Sequence, residues 1–352
     1  MRRLREFFHR KKRKKEILSL ILLMVATAFF GALLFKLQYD YRTKTEDKEP
    51  EKIYSGYYAY ISESEDDEFY KEAFQSAQKA GEKTDVCVED FASELKTRYS
   101  AAERIRLAVW SGVDGIIAEG KSASFKNALK EAEDAGIPVV LIGNDDVETG
   151  RVSFVGASGY NIGLLYGRQA SELSKKILNN QDYVSVLILS TQEDSSTSQD
   201  LIINTIQDFL TKDEDLNRRL SIRTVGVSSS ATFVSQEEVM NILLDSQKND
   251  DVPDVVIALT SELTNSAYQG IIDLNLTRQC NIIGYYASDS IREAIKNESI
   301  YSSVVTDASE MGLYSVQALN EYLDSGYVSE YYAVSSSVLT KDDISKAKGG
   351  GK

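Results

Sequence analysis

Residues 125–145, FKNALKEAEDAGIPVVLIGND, carry two hydrophobic patterns separated by a sharp break. Phe125, Ala128, Leu129, Ala132 and Ala135 recur at three- and four-residue spacing, which predicts a helix over 122–135 with one apolar face. Gly136 and Pro138 end that helix, and the unbroken run Val139-Val140-Leu141-Ile142 then reads as a strand over 138–143. A helix that hands over to a short apolar strand within three residues is the repeating unit of α/β folds.

The same unit recurs through the chain. Apolar runs of strand length fall at 53–61, 84–88, 114–118, 138–143, 152–155, 184–190, 221–227, 254–259, 281–286 and 300–306. Helical patterns lie between most of them, at 68–80, 97–111, 122–135, 160–178, 199–211, 236–247, 262–273, 288–296 and 309–324. Such alternation predicts parallel sheets covered by helices on both faces. At 352 residues, with 42% hydrophobic and 27% charged residues, the chain is long enough for two lobes, each burying its own core.

The charge is unevenly placed. Residues 1–16 carry nine Lys/Arg against Glu6 and Glu16, so a chain of net −14 leaves −21 for the remainder. A body that acidic repels nucleic acid and anionic lipid. Residues 17–35, ILSLILLMVATAFFGALLF, hold no charge, and as a helix they span roughly 28 Å against the ~30 Å of a bilayer's hydrocarbon core. They are expected to form a transmembrane signal anchor, with Ile17–Phe35 in the membrane and the basic tail 1–16 on the cytoplasmic side. A cleaved signal peptide is the alternative, although no small-residue cleavage site follows Phe35 and no Cys is placed for a lipoprotein anchor. The polar stretch 36–52 reads as a linker, which sets the folded body outside the cell at the plasma membrane. A cytoplasmic tail of sixteen residues has no room for an output domain, so any inward signal needs a partner.

Parallel sheets bind ligands at the carboxyl ends of their strands. After the first strand come the acids of SESEDDE, 62–68, with Asp66 or Asp67 positioned to cap the next helix and Phe69-Tyr70 in its first turn. Phe69 also fits the buried stripe of that helix with Ala73, Phe74 and Ala77, whereas Tyr70 lies one step off it.

The segments FYKEAFQSAQKAG, SAAERIRLAVWSGVDGIIAEG, KNALKEAEDAGIPVVLIGND, VPDVVIALTSELTNSAYQGIID and NIIGYYASDSIREAI, in that order, resemble the successive strand–helix units of the type 1 periplasmic sugar-binding proteins. The likeness runs from Ile53 to Leu339. It implies a two-lobed α/β body with parallel sheets flanked by helices, and chain crossings near Ala157, Thr306 and Val334. Lobe 1 is then 53–156 with 307–333, lobe 2 is 157–306 with 334–343, and 344–352 is a disordered tail. The same fold also serves DNA-binding repressors, but this chain has an apolar helix where they carry a helix-turn-helix.

Carried over residue by residue, the resemblance places Phe69, Tyr70, Glu119, Thr260, Ser261 and Thr306 in an interlobe cleft, with the Phe69-Tyr70 pair stacking on a sugar ring; Asp67 from the strand-end reading, and Asn144, Asp145 and Tyr286, are expected to converge on the same cleft. Three departures stand beside it. Gly143-Asn144-Asp145 occupies the place of an Asp-Arg pair, Gly284-Tyr285-Tyr286 lacks the usual Asp, and no Arg occurs between Asp194 and Thr211. Charged bidentate hydrogen bonds fix monosaccharides in such clefts, so the departures point to a larger or less polar ligand, or to a cleft that has become a scaffold.

Catalysis finds little support. The only histidine is His9, in the basic tail, so the outer body has no His-dependent triad or His-ligated metal. SESEDDE lacks the EF-hand spacing, and no GxGxxG or Walker pattern follows a strand, so neither metal nor nucleotide cofactor is expected. Cys87 and Cys280 are read as separate buried thiols in different lobes. Twenty tyrosines, four of them between Tyr54 and Tyr60, are expected mostly at strand edges and on the surface. The sequence thus predicts a non-enzymatic, membrane-tethered receptor for a small carbohydrate-like ligand. Its partner is a transporter permease in an ABC-type system or, alternatively, a membrane sensor histidine kinase.

Overall fold

The computed structural model describes residues 30–34, 36, 53–63, 67–93, 95–119, 123–145, 149–192, 197–228 and 232–349. The chain divides into a unit of residues 1–53 and a unit of residues 54–352. In the first, residues 30–34 and 36 are helical and exposed; the rest of the expected anchor 17–35 and of the linker 36–52 lies outside the described residues. No helix among the described residues is long and apolar enough to cross a membrane.

The second unit holds two six-stranded sheets. The first is built from β1 (Gly56–Ile61), β2 (Val86–Asp90), β3 (Gly115–Glu119), β4 (Val139–Ile142), β5 (Ser153–Gly156) and β11 (Tyr331–Ala333), in the order β11-β5-β4-β3-β1-β2. The second is built from β6 (Val184–Thr191), β7 (Leu220–Val227), β8 (Val255–Ala258), β9 (Asn281–Tyr285), β10 (Ser302–Thr306) and β12 (Ser336–Thr340), in the order β12-β10-β9-β8-β6-β7. Every pairing is parallel except that of β10 with β12. The chain leaves the first sheet after Gly156, returns after Thr306, and crosses again between Ala333 and Ser336.

Helices clothe both faces of each sheet, as continuous apolar strands require. In the first lobe α1 (Glu68–Lys83) and α10 (Ala308–Ser325) cover one face, while α2 (Ala101–Ser111) and α3 (Ala123–Asp134) cover the other. In the second lobe α4 (Gly159–Ile177) and α5 (Thr197–Thr211) pack opposite α7 (Thr232–Lys248), α8 (Ser261–Asp273) and α9 (Asp289–Lys296). A short α6 (Glu214–Arg218) precedes β7. The helix boundaries follow local chemistry. Ser100 and Glu103 form a reciprocal capping box at the start of α2, and Asp67 Oδ1 accepts from the Phe69 amide (2.8 Å) at the start of α1. Gly312 lets α10 lie directly on α1, since a Cβ there would run into the backbone of Ala73 and Ala77.

Three sequence expectations need correction. Residues 344–349 of the supposed disordered tail belong to a helix, α11 (Lys341–Gly349), that begins in the last residues assigned to lobe 2. Two tyrosines of the first strand are not at the surface: Tyr58 and Tyr60 are buried, while Tyr57 is partly exposed. Their hydroxyls are satisfied inside, Tyr58 donating to Asn320 Oδ1 (2.6 Å) and Tyr60 to the Tyr70 carbonyl (3.0 Å), so rings wider than Val or Ile fit a parallel strand. Cys87 is only half-buried; Cys280 is buried, and both thiols are free.

Removing one hydroxyl tests that packing. Tyr58→Phe leaves the half-buried Asn320 oxygen without its donor and is expected to destabilise the body by about 1 kcal/mol. A urea midpoint shift corresponding to that figure checks it, and an unchanged midpoint would show that water replaces the hydroxyl.

Candidate functional site

The carboxyl ends of β1, β3 and β4 face those of β6, β8 and β9 across the gap between the lobes. Asp67, Phe69, Tyr70, Glu119, Gly143 and Asn144 line it from the first lobe. Thr191, Gln199, Leu259, Thr260, Ser261, Glu262 and Tyr285 line it from the second. The enclosed cavity measures about 110 Å³. This is well below the ~300–1,000 Å³ of clefts for drug-sized ligands, so in this arrangement of the lobes there is no room for the larger molecule considered from sequence. A larger, open hollow of about 710 Å³ lies on the outside of the first lobe between α1 and α10, edged by Lys71, Gln75, Lys79 and Leu313. Its walls are flexible surface side chains of two helices, without the convergent strand ends that define the interlobe cavity.

The lobes touch across the cleft. Asp67 uses its second oxygen to accept from Ser261 Oγ (2.5 Å), so one carboxylate caps α1 and joins it to the start of α8. Phe69 makes an edge contact with Tyr70 at 5.1 Å and a tilted one with Tyr285 at 6.0 Å. Tyr286 approaches Phe69 edge-on at 5.6 Å, and its hydroxyl donates to Glu72 on α1. These contacts hold a closed form, and a hinge at the three crossing segments would open it.

Glu119, the last residue of β3, is 1% exposed. Its Oε2 accepts from Ser62 Oγ (2.5 Å) and from the Glu63 amide (3.1 Å), donors supplied by the loop leaving β1. Tyr70 packs onto Gly143, whose positive φ of 77° and missing side chain leave room for the phenol. Burial, followed by the Glu119 charge, holds the Tyr70 hydroxyl well above its usual range. Burial also pushes Tyr285 up to about 12, against a hydrogen bond with Thr306 that pulls it back. Both phenols therefore remain neutral donors at physiological pH.

The structure brings seven of the ten sequence-predicted residues to the cavity: Asp67, Phe69, Tyr70, Glu119, Asn144, Thr260 and Ser261. Thr260 contributes mainly as the cap of α8, accepting from the Leu263 amide (3.1 Å). The other three lie elsewhere, so the expectation of a single convergent set is corrected. Asp145 is taken by Arg151, which grips both its oxygens and also donates to the Glu330 carbonyl (3.2 Å). Tyr286 has φ 64°, and this left-handed turn carries its ring onto α1 while Tyr285 takes the cavity position. Thr306 is buried behind Tyr285, bonded to it and to Ser336 Oγ (3.3 Å), and so positions a wall residue.

Sequence reasoning missed Thr191, Gln199 and Glu262. Thr191 ends β6, and Gln199 in the first turn of α5 reaches back, Nε2 donating to Thr191 Oγ1 (2.8 Å) and Oε1 accepting from its amide (3.2 Å). The strand-end rule that located Asp67 after β1 applies equally after β6 and points to Thr191, the residue that ends it.

Two lobes of parallel sheet joined by three crossings, with a polar and aromatic cavity at their facing strand ends, define a hinged solute-binding protein. The chain belongs to the periplasmic binding protein family, whose domain model matches residues 58–326. Among solved structures it is similar to GanP, a glucose-galactose binding protein from Geobacillus stearothermophilus, at 21% identity and a TM-score of 0.69, covering 82% of this chain and 98% of that one. An ABC transporter periplasmic solute binding protein from Actinobacillus succinogenes with bound D-allose is 16% identical with a TM-score of 0.67, over 83% of this chain and 100% of that one. A XylFII–LytSN complex contains a chain 19% identical with a TM-score of 0.65, over 82% of this chain and 98% of that one. At these identities the likeness is one of fold. No curated protein matches the sequence. The family binds solutes, and the chain is a binding protein, not an enzyme.

Proposed function

We propose that this protein is a membrane-tethered, extracytoplasmic receptor that captures a small carbohydrate-like ligand between its lobes and presents the closed form to an ABC-type transporter. The observation that carries this reading is the cavity itself: phenol rings, amide and hydroxyl side chains and carboxylates converge from both lobes on one small space between them. Apolar C–H faces stack on aromatic rings, and hydroxyls donate to Asp67 and Glu119. The solved sugar-binding proteins of this fold support the ligand class. The tether rests on the apolar run 17–35 behind a basic tail, and the orientation on the charge of that tail.

The XylFII–LytSN complex favours a second reading, in which the closed receptor is read by a protein partner of the sensor-kinase type and not by a permease. Affinity capture from cross-linked membranes separates the two by which partner is retained.

The ligand reading is tested by thermal unfolding of the full-length chain in mild detergent with pentoses, hexoses, sugar alcohols, nucleosides and oligosaccharides. A ligand at 100 times its Kd stabilises the native state by ~2.7 kcal/mol, a shift of several degrees for a body of this size. A monosaccharide-sized hit with silent oligosaccharides is expected. A flat response to the whole panel would remove the carbohydrate reading and leave the scaffold role.

A further inference from the structure

Tyr286 joins the two lobes from outside the cavity. It follows β9 in the second lobe, and its hydroxyl donates to Glu72 Oε2 on α1 of the first; neither residue lines the cavity. The other oxygen, Glu72 Oε1, accepts from Ser309 Oγ (3.1 Å) in the first turn of α10. The Ser309 carbonyl in turn accepts from Ser76 Oγ (2.6 Å) on α1. The carboxylate is thus aimed by both helices of its own lobe. Burial, followed by the Glu72 bond, holds the Tyr286 hydroxyl above its usual range, so it meets the carboxylate as a neutral donor.

The backbone of Tyr286 is fixed as firmly. A φ of 64° is one that a bulky residue adopts only where its surroundings enforce it. Here β10 supplies the restraint on both sides: the Tyr286 amide donates to the Val304 carbonyl (2.8 Å), and the Tyr286 carbonyl accepts from Ser303 Oγ. Tyr286 therefore moves with β10 and Glu72 with α10, and the second crossing, just past Thr306, joins those two elements. Rotation there separates hydroxyl from carboxylate, and a hydrogen bond weakens steeply with such displacement. The bond between Ser261 and Asp67 also links the lobes, but both residues line the cavity, so a ligand meets them. Tyr286 and Glu72 stabilise closure whatever fills the cavity.

We propose that the contact between Tyr286 and Glu72, oriented by Ser309, is a latch at the second crossing that biases the receptor toward closure independently of its ligand. A bond made in the closed form alone raises the closed fraction of the empty protein. It raises the apparent affinity for every ligand that requires closure by the same factor. The latch sets sensitivity and leaves selectivity to the cavity wall. It rests on the reading of the lobes as a hinged receptor and not on the identity of the ligand.

The test is a distance measurement by pulsed electron paramagnetic resonance on the full-length chain in mild detergent, with no sugar added. Spin labels are placed at Lys96→Cys and Glu237→Cys, exposed positions beyond β2 and β7, the sheet edges away from the crossings. Cys87→Ser keeps the half-buried thiol from reacting, and Cys280 is buried. Tyr286→Phe retains the ring against Phe69 and removes only the hydroxyl. The ratio of open to closed molecules is expected to rise about tenfold, as a hydrogen bond to a charged acceptor is lost. Glu72→Gln keeps an acceptor oxygen and is expected to give a smaller rise. The double variant is expected to open no further than Tyr286→Phe alone, because both changes remove one contact. A distance distribution equal to the parent's would overturn the latch, and a lowered urea midpoint beside it would make Tyr286 a packing residue of its own lobe. Additive opening in the double variant would overturn the pairing with Glu72. No carbohydrate enters the measurement, so a sugar panel that stays silent removes the ligand reading and leaves this result standing by itself.

Discussion

Replacing Arg104 by methionine is expected to destabilise the binding body by about 3 kcal/mol, a large fraction of the ~5–15 kcal/mol that holds a typical protein folded. The side chain is 1% exposed, and it is not a cleft residue. It ties the ends of two strands to α2: Nη2 pairs with Asp90 at the end of β2, Nε donates to the Phe91 carbonyl, and Nη1 donates to the Ser62 carbonyl just past β1. Losing one partner of a buried pair commonly costs ~3–5 kcal/mol. The lower figure applies because the Asp90 side chain is 36% exposed and keeps access to water once orphaned. Methionine fills the volume, so the loss reports polar contacts and not a cavity. Arg104→Lys retains the charge without the planar fork that serves three acceptors, and an intermediate loss is expected. Chemical denaturation of the three proteins checks the order, and equal midpoints would mean that the clamp is dispensable. Ser62 donates to Glu119, so the clamp also fixes the loop that presents a cavity carboxylate.

The alternation that made the fold legible is a property of buried parallel sheet. Val139-Val140-Leu141-Ile142 must be apolar throughout because helices cover both sides, and a break such as Gly136 and Pro138 must separate it from the preceding helix. Elements outside that rule were harder to see. β11 is three residues at a sheet edge, two of them exposed, and α11, KDDISKAKG, has almost no apolar face. In the site, Asp67 followed from the position of a strand end, since topology fixes where such residues go, whereas Glu119 was placed by the family resemblance. The choice between Tyr285 and Tyr286 did not, because it depends on a left-handed backbone at a tyrosine, a conformation that composition does not announce. Asp145 was lost to a partner six residues further along, Arg151, and adjacency in a loop says nothing of which way an aspartate turns. Glu262 was passed over because an acid in the first turn of a helix is ordinary there; only its shielded oxygen in the cavity wall sets it apart.

The second large effect is expected at Phe69, where fold and function share one side chain. It is 3% exposed, belongs to the apolar stripe of α1 with Ala73 and Ala77, and also lines the cavity. Sequence set these as competing roles; the structure gives it both. Its ring meets Tyr70 of its own lobe and Tyr285 and Tyr286 of the other, all within the 4.5–7 Å over which aromatic pairs gain ~0.5–1.5 kcal/mol each beyond burial. Phe69→Ala is therefore expected to destabilise the body by about 3–5 kcal/mol and to abolish ligand-induced stabilisation, since the two lobes lose the ring they share. Phe69→Leu separates the two parts. It keeps an apolar group in the stripe, so a loss below about 1.5 kcal/mol is expected, but it removes the ring edges that meet the second lobe. A leucine variant that is nearly as stable as the parent and yet binds more weakly would assign the ring to closure. A leucine variant that binds as the parent does would show that apolar volume alone carries the contact between lobes, and that the aromatic cluster at the cleft belongs to packing and not to ligand capture.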